Sequence, residues 1–86
     1  MLIDFYTMVE FCEKEGFKFV VVECVRCGKK TVIPYKIKYA ICDHCNALIP
    51  LNQRDIRKIN EYINDDVRSS NFEFIIKLKK EIYKRW

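Results

Sequence analysis

Hydrophobic and polar positions follow two periods along the chain, one typical of strands in its middle and one typical of helices at both ends. The longest strand is predicted at residues 17–23, Phe-Lys-Phe-Val-Val-Val-Glu, a run rich in β-branched and aromatic side chains. Shorter strands are predicted at residues 31–33, 36–41 and 47–49. Pro34 and Pro50 separate or end these runs, because proline cannot donate a hydrogen bond to a sheet.

The first part of the chain has the spacing of a helix. At about 100° per residue, one face of a helix over residues 4–15 collects the apolar side chains of Phe5, Met8, Val9 and Cys12. Asp4 is placed to cap its first turn, and Gly16 is placed to end it. We therefore expect an N-terminal helix within residues 1–16.

Two further helices are predicted after the strands, over residues 53–64 and 71–85. Asn52 can cap the first, and Ser70 with Glu73 forms a capping box for the second. The apolar face of the first helix consists of Ile56, Ile59, Ile63 and Val67. That of the second consists of Phe72, Ile75, Ile76, Leu78, Ile82, Tyr83 and Trp86, with Phe74 outside it. A short connection between them predicts a helical hairpin.

Four of the five cysteines form two C-x2-C pairs, Cys24 with Cys27 and Cys42 with Cys45. The pairs are separated by residues 28–41, close to the spacing of four-cysteine zinc sites. Gly28 and Asn46 follow the second cysteine of each pair, where a turn often needs a left-handed residue. The spacing therefore predicts one zinc ion held by Cys24, Cys27, Cys42 and Cys45.

Four thiolates complete the tetrahedral shell of zinc, so we expect the ion to be structural. His44 is the only histidine and no serine or carboxylate can be placed beside it as a catalytic partner, so we do not expect an enzyme. Iron in a rubredoxin-like site uses similar turns and is the alternative metal. His44 lies inside the second pair and could replace a cysteine, although Cys42 and Cys45 already complete the pattern. Cys12 is far from both pairs and is expected to be a buried thiol.

These elements predict an α+β fold in a single zinc-binding domain over residues 1–86. An N-terminal helix at 1–16 precedes a small antiparallel zinc ribbon at 17–51, and an α-helical hairpin follows at 52–86. With 86 residues, a hydrophobic core alone is marginal, and a metal is one of the common means of stabilising such a chain. The cysteine pattern therefore matches the length of the chain.

Residues 24–51 have a net charge of +4 and residues 52–86 a net charge of +3, whereas residues 1–23 contribute −3. The basic residues of segment 24–51 are Arg26, Lys29, Lys30, Lys36 and Lys38. Tyr35 and Tyr39 lie among them, and basic and aromatic residues together can hold a phosphate backbone and stack on bases. Four thiolates and one Zn²⁺ would lower the charge of +4 by two, to about +2, which weakens this inference for the whole chain.

The end of the chain offers a second surface, suited to a protein partner. It comprises Phe74, Lys77, Lys80, Lys84 and Trp86. Aromatic side chains in excess of what a small core needs are typical of interfaces, and self-association would also bury them. The sequence alone leaves a protein and a nucleic acid as alternative partners.

The chain has two C-x2-C pairs followed by two short predicted helices, and this order resembles that of the small sporulation anti-sigma factor Gin. The second predicted helix contains Phe-Glu-Phe-Ile-Ile-Lys-Leu-Lys-Lys at 72–80, similar to the aromatic and lysine-rich tail of that family. The resemblance covers about residues 24–83, whereas residues 1–23 and the segment 46–51 depart from it. It implies that the four cysteines bind zinc and that the helical tail contacts the partner.

We expect a cytoplasmic protein, because no apolar stretch approaches the ~18 residues of a membrane span and Met1-Leu2-Ile3-Asp4 lacks the basic start of a signal peptide. The zinc ribbon predicts a non-catalytic regulator that acts in transcription or translation by binding a protein or a nucleic acid. The alternative is an inhibitor or adaptor that docks on a protein through its C-terminal helices, without nucleic-acid contact.

Overall fold

The computed structural model of the chain describes residues 8–63 and 67–85. These residues form a mixed α and β structure with a three-stranded antiparallel sheet, a two-stranded antiparallel sheet and two α-helices. The strands are β1 (Val9–Lys14), β2 (Phe17–Glu23), β3 (Lys30–Ile33), β4 (Ala40–Ile41) and β5 (Leu48–Ile49). The helices are α1 (Gln53–Tyr62) and α2 (Phe72–Tyr83), with a 3-10 turn at Val67–Ser70 between them.

The larger sheet has the order β1-β2-β3, so β2 is its central strand. Successive side chains of a strand point to opposite faces of the sheet. Both faces of β2 are covered, which explains why five of its seven residues are buried and why its sequence is apolar without alternation. The predicted strand at 17–23 is confirmed at the same bounds.

The two helices cover opposite faces of this sheet. Ile59 and Ile63, at the end of α1, pack with Val20 and Val22 and with the buried cysteines. On the other face, α2 packs against the odd-numbered residues of β2 in a cluster of Phe17, Phe19, Val21, Val32, Ile75 and Leu78. The predicted packing of the helices as a hairpin is therefore wrong, because the sheet provides each helix with its own apolar face.

The N-terminal helix predicted at 1–16 is wrong for the residues that the structure describes, because Val9–Lys14 form β1. This strand pairs along its whole length with β2, from Val9 opposite Val22 to Lys14 opposite Phe17. Glu15 and Gly16 both have positive φ, 52° and 77°, as a two-residue type I′ hairpin turn requires. Pairing with β2 thus overrides the helical spacing. Asp4 and Phe5 lie outside the described residues.

Helix α1 begins as predicted, with the Asn52 side chain accepting a hydrogen bond of 2.8 Å from the Asp55 backbone N–H. Helix α2 differs from the prediction because Asn71 is its N-cap, while Ser70 belongs to the 3-10 turn. Its buried face also differs: Phe74 packs on the core, whereas Phe72 is 76% exposed. None of the helices within residues 8–63 and 67–85 combines the length and apolar character needed to cross a membrane.

Candidate metal centre

The two cysteine pairs lie in matching turns at the ends of two hairpins. The first turn joins β2 to β3, and the second joins β4 to β5. In each turn, the backbone N–H of the first cysteine donates a hydrogen bond to the carbonyl oxygen five residues later. Cys24 donates to Lys29 and Cys42 to Ala47, both at 2.9 Å. The carbonyl of the same cysteine accepts from the fourth residue, at 2.8 Å and 3.0 Å respectively. The two turns therefore have the same backbone construction.

The residue after each pair has the left-handed conformation expected from the sequence. Gly28 has a φ of 76° and Asn46 a φ of 60°. Glycine adopts this region freely, and asparagine tolerates it better than most other residues. In this conformation the backbone reverses directly after the second cysteine, so that both sulfurs of a pair lie on the same side of the turn.

The four sulfur atoms form one compact cluster, with all of them within 4.8 Å of one another. Across the cluster, Cys24 Sγ lies 3.7 Å from Cys45 Sγ, and Cys27 Sγ lies 3.5 Å from Cys42 Sγ. Four sulfurs at the Zn–S distance of about 2.3 Å in a regular tetrahedron would be roughly 3.8 Å apart. The donor set and its spacing therefore fit a single tetrahedral metal ion, for which zinc is the favoured candidate.

Cys24 and Cys42 face inward and are buried, whereas Cys27 and Cys45 are exposed. Burial raises the pKa of Cys42, but hydrogen bonds from the Cys45 and His44 backbone N–H groups, the Thr31 hydroxyl and Cys27 outweigh it and lower the pKa to about 6. The pKa of Cys27 is lowered by the backbone at Lys29, yet partial desolvation and hydrogen bonds with the other three sulfurs raise it to about 11. Of these two cysteines, Cys42 is therefore the one that more readily forms a thiolate.

His44 does not join the sulfur cluster, although its position in the sequence left that open. Its backbone N–H points to Cys42 Sγ at 3.4 Å, while its ring Nε2 lies 2.9 Å from the carbonyl oxygen of Lys30. The ring lies 4.9 Å from that of Tyr83 in a tilted arrangement. His44 therefore connects the second turn to β3 and α2 and is not needed as a ligand.

A set of polar contacts that sequence reasoning missed holds the second turn against α2. Tyr83 donates a hydrogen bond of 2.5 Å to Asp43, and Lys79 forms an ion pair of 2.8 Å with the same carboxylate oxygen. The Tyr83 hydroxyl also accepts a bond of 3.0 Å from the backbone N–H of Val32. Burial, followed by the bond to Asp43, raises the pKa of Tyr83, so this hydroxyl remains protonated.

The five basic residues predicted to contact nucleic acid fall into two groups in the structure. Arg26 and Lys29 are exposed on the first cysteine turn, and Lys30 at the start of β3 lies 3.8 Å from Glu10. Lys36 and Lys38 are exposed on the loop between β3 and β4. Three of the five thus lie on or next to the first cysteine turn and two on the loop between β3 and β4, and their contact with nucleic acid stays a prediction.

The residues predicted to contact a protein partner are also divided. Lys77, Lys80 and Lys84 are exposed on α2 or at its end. Phe74 packs edge-on against Phe17, with ring centres 5.0 Å apart, and is partly buried against the cluster of core residues under α2. Trp86 lies outside the described residues.

Comparison with known proteins identifies no relative of this chain. The chain matches no family model, and neither a curated protein nor a solved structure is significantly similar to it. The resemblance to the anti-sigma factor Gin thus gains no support, and the fold and the four-cysteine cluster are the basis for assigning a function.

Proposed function

We propose that this protein is a small non-catalytic zinc-ribbon regulator that acts in transcription or translation by binding a protein or a nucleic acid. The observation that supports it best is the convergence of four cysteine sulfurs at spacings suited to one tetrahedral zinc ion. Zinc with four thiolates has no open coordination position, so it would stabilise the fold and would not bind a substrate.

In this proposal, Cys24, Cys27, Cys42 and Cys45 hold the ion, and the protein around it presents the binding surfaces. Zinc would fix the two hairpins relative to each other, since each supplies two ligands. The buried pair Cys24 and Cys42 also belongs to the core cluster that contains Ile59 and Ile63 of α1. Metal binding and packing of α1 on the sheet would therefore stabilise each other.

The experiment is elemental analysis of the purified chain, combined with matched cysteine variants. We expect about one equivalent of zinc, lost in Cys24→Ser and retained in Cys12→Ser, because Cys12 lies on β1 away from the cluster. Cobalt substitution should produce the visible absorption of a tetrahedral thiolate site in the second variant only. Iron in place of zinc, or equal metal loss in both variants, would contradict the assignment.

A second candidate function is that of an inhibitor or adaptor that docks on a protein through its C-terminal helices. It is favoured by apolar side chains that face solvent near and on α2. Val67 is 87% exposed, Phe72 is 76% exposed and Ile76 is 37% exposed. Phe72 and Ile76 are one helical turn apart and therefore neighbours on the same face.

Affinity capture with the zinc-loaded chain separates this candidate from the first. A protein partner held by the apolar face should be lost when Phe72 and Ile76 are both changed to alanine. It should be retained when the neighbouring lysines Lys77 and Lys80 are changed instead. Loss with the lysine variant alone would argue against apolar docking.

A further inference from the structure

An open groove of about 440 Å³ lies beside the second cysteine turn. It is lined by β3, the loop between β3 and β4, β4 and the second cysteine turn, and α2 contributes one lysine. The side chains on which the inference rests are Tyr35, Lys36, Lys38, Tyr39 and Lys79. The groove therefore brings together both tyrosines of the ribbon and three positive charges.

The two tyrosines present their rings to solvent at this groove. Tyr35 is 47% exposed and Tyr39 is 62% exposed. An exposed aromatic ring provides a surface on which a nucleic-acid base can stack, whatever the base. The tyrosines thus supply a contact that a purely charged surface would lack.

The charges of the groove favour an anionic ligand. Its lining contains three lysines and one acid, Asp43, so the sum is +2. The negative charge of Asp43 is already compensated, because the carboxylate is ion-paired with Lys79 and accepts the hydrogen bond of Tyr83. Lys36 and Lys38 lie on the exposed side of the loop, where phosphates could approach.

The loop that carries these residues is fixed in place by α1. The Asn60 side chain accepts a hydrogen bond from the Ile37 N–H and donates another to the Ile37 carbonyl, both at 2.8 Å. Ile37 lies between Lys36 and Lys38, so this pair of hydrogen bonds fixes the centre of the loop between β3 and β4. A loop already ordered in the free protein loses less conformational entropy when it binds a ligand.

We propose that this groove binds single-stranded nucleic acid, with Tyr35 and Tyr39 stacking on bases and Lys36 and Lys38 contacting phosphates. The inference rests on the proposed function and names the partner of that regulator. Single strands are favoured over duplexes because paired and stacked bases do not offer their faces to protein side chains. An acidic peptide could form ion pairs with the lysines, but it has no bases to stack on the two exposed tyrosine rings.

The test is fluorescence anisotropy with the full zinc-loaded chain and labelled oligo-dT and oligo-rU of about 12 nucleotides. If Lys36 and Lys38 contact phosphates while Lys79 stays paired with Asp43, the logarithm of the affinity should fall with the logarithm of salt with a slope of about −1.4. Between roughly 50 and 200 mM salt the affinity should then decrease about 7-fold. A duplex of equal length should bind more weakly than either single strand.

Matched variants identify the contacts. Tyr39→Ala should weaken binding roughly 5- to 150-fold, whereas Phe72→Ala, which removes a ring at least as exposed on α2, should not. Changing Lys36 and Lys38 together to alanine should reduce the salt slope by about 1.4. Changing Arg57 and Lys58, which are exposed on α1, removes the same charge and should leave the slope unchanged.

Each variant is first shown to retain zinc and helical circular dichroism, so that loss of binding is not loss of folding. Equal effects of groove and control variants, or duplex binding as tight as single-strand binding, would overturn the inference. So would binding of polyglutamate that depends on the lysines and exceeds oligonucleotide binding. A zinc-loaded chain that binds no oligonucleotide at low salt would refute this inference alone, whereas a folded chain without zinc would refute the proposed function.

Discussion

Tyr83 connects three parts of the molecule through one hydroxyl group. It accepts a hydrogen bond from β3 at Val32 and donates one to Asp43 in the second cysteine turn, while its own backbone ends α2. Because β3 is an edge strand, its outward N–H groups need partners from outside the sheet. The Tyr83 hydroxyl is the partner of the Val32 N–H, and the His44 ring lies within hydrogen-bond distance of the Lys30 carbonyl on the same strand.

The change Tyr83→Phe removes this hydroxyl and keeps the ring. Val32 is 1% exposed, so its N–H would lose its partner in a buried place. We expect a loss of about 1–3 kcal/mol in the free energy of unfolding, measured by urea denaturation of the zinc-loaded protein. The matched change Tyr39→Phe removes an exposed hydroxyl and should change stability by less than about 0.5 kcal/mol. Equal losses would show that the hydroxyl of Tyr83 has no special role.

Gly28 gives a second prediction at the scale of one residue. A Cβ added there would meet no atom within 4 Å, so any penalty comes from the backbone, whose φ is 76°. We expect Gly28→Ala to destabilise the zinc-loaded protein by about 1–2 kcal/mol. Gly28→Asn should cost less, since Asn46 adopts the same conformation in the matching turn. An asparagine variant as unstable as the alanine variant would contradict this explanation.

At the scale of elements, β1 shows how pairing decides between two local possibilities. Its sequence places Val9 and Cys12 at a spacing that also suits a helix. In the structure these residues lie on opposite faces of the sheet, each packed against a different core cluster. The pairing with β2 that selects the strand joins residues up to 13 positions apart, well beyond the spacings of three and four residues from which a helical face is predicted.

The turn of this hairpin offers a direct test. Glu15 has a φ of 52°, a conformation that glutamate adopts rarely and that asparagine tolerates. Asn-Gly is a preferred pair for a type I′ turn, so Glu15→Asn should stabilise the protein by about 0.5–1 kcal/mol. Thermal unfolding of the zinc-loaded chain measures the change. A decrease in stability would argue that residues 15–16 do not form this turn.

At the scale of the whole molecule, the cysteine cluster links the two halves of the core. Cys24 and Cys42 pack in the cluster under α1, while Asp43 next to Cys42 is bound to α2 on the other side. Binding energies of structural zinc, about 10–16 kcal/mol, are of the same size as the stability of a typical domain, about 5–15 kcal/mol. Metal loss is therefore expected to affect both helices and not the cysteine turns alone.

Removing the metal with a chelator should accordingly unfold the chain. We expect loss of helical circular dichroism and rapid hydrogen exchange in β2, with recovery when zinc is added back. Magnesium should not restore the fold, because it prefers oxygen ligands. A chelated protein that retains slow exchange in β2 would show that the core is stable without the metal.

The sequence by itself determined the parts of this protein that depend on near neighbours. Three features are specified by residues only a few positions apart in the chain. They are the two C-x2-C turns with Gly28 and Asn46, the buried strand at 17–23, and the cap of α1 at Asn52. A turn or a cap needs only its own short segment, so its residue pattern is sufficient to predict it.

Only the tertiary structure decided which distant surfaces meet. It placed the two helices on opposite faces of the sheet, converted residues 9–14 into a strand and brought Tyr83 to Asp43, 40 positions away. It also joined Lys79 of α2 to the tyrosine groove of the ribbon. These arrangements follow from which buried faces and strand edges fit each other, and that matching of non-local surfaces is not contained in any local pattern.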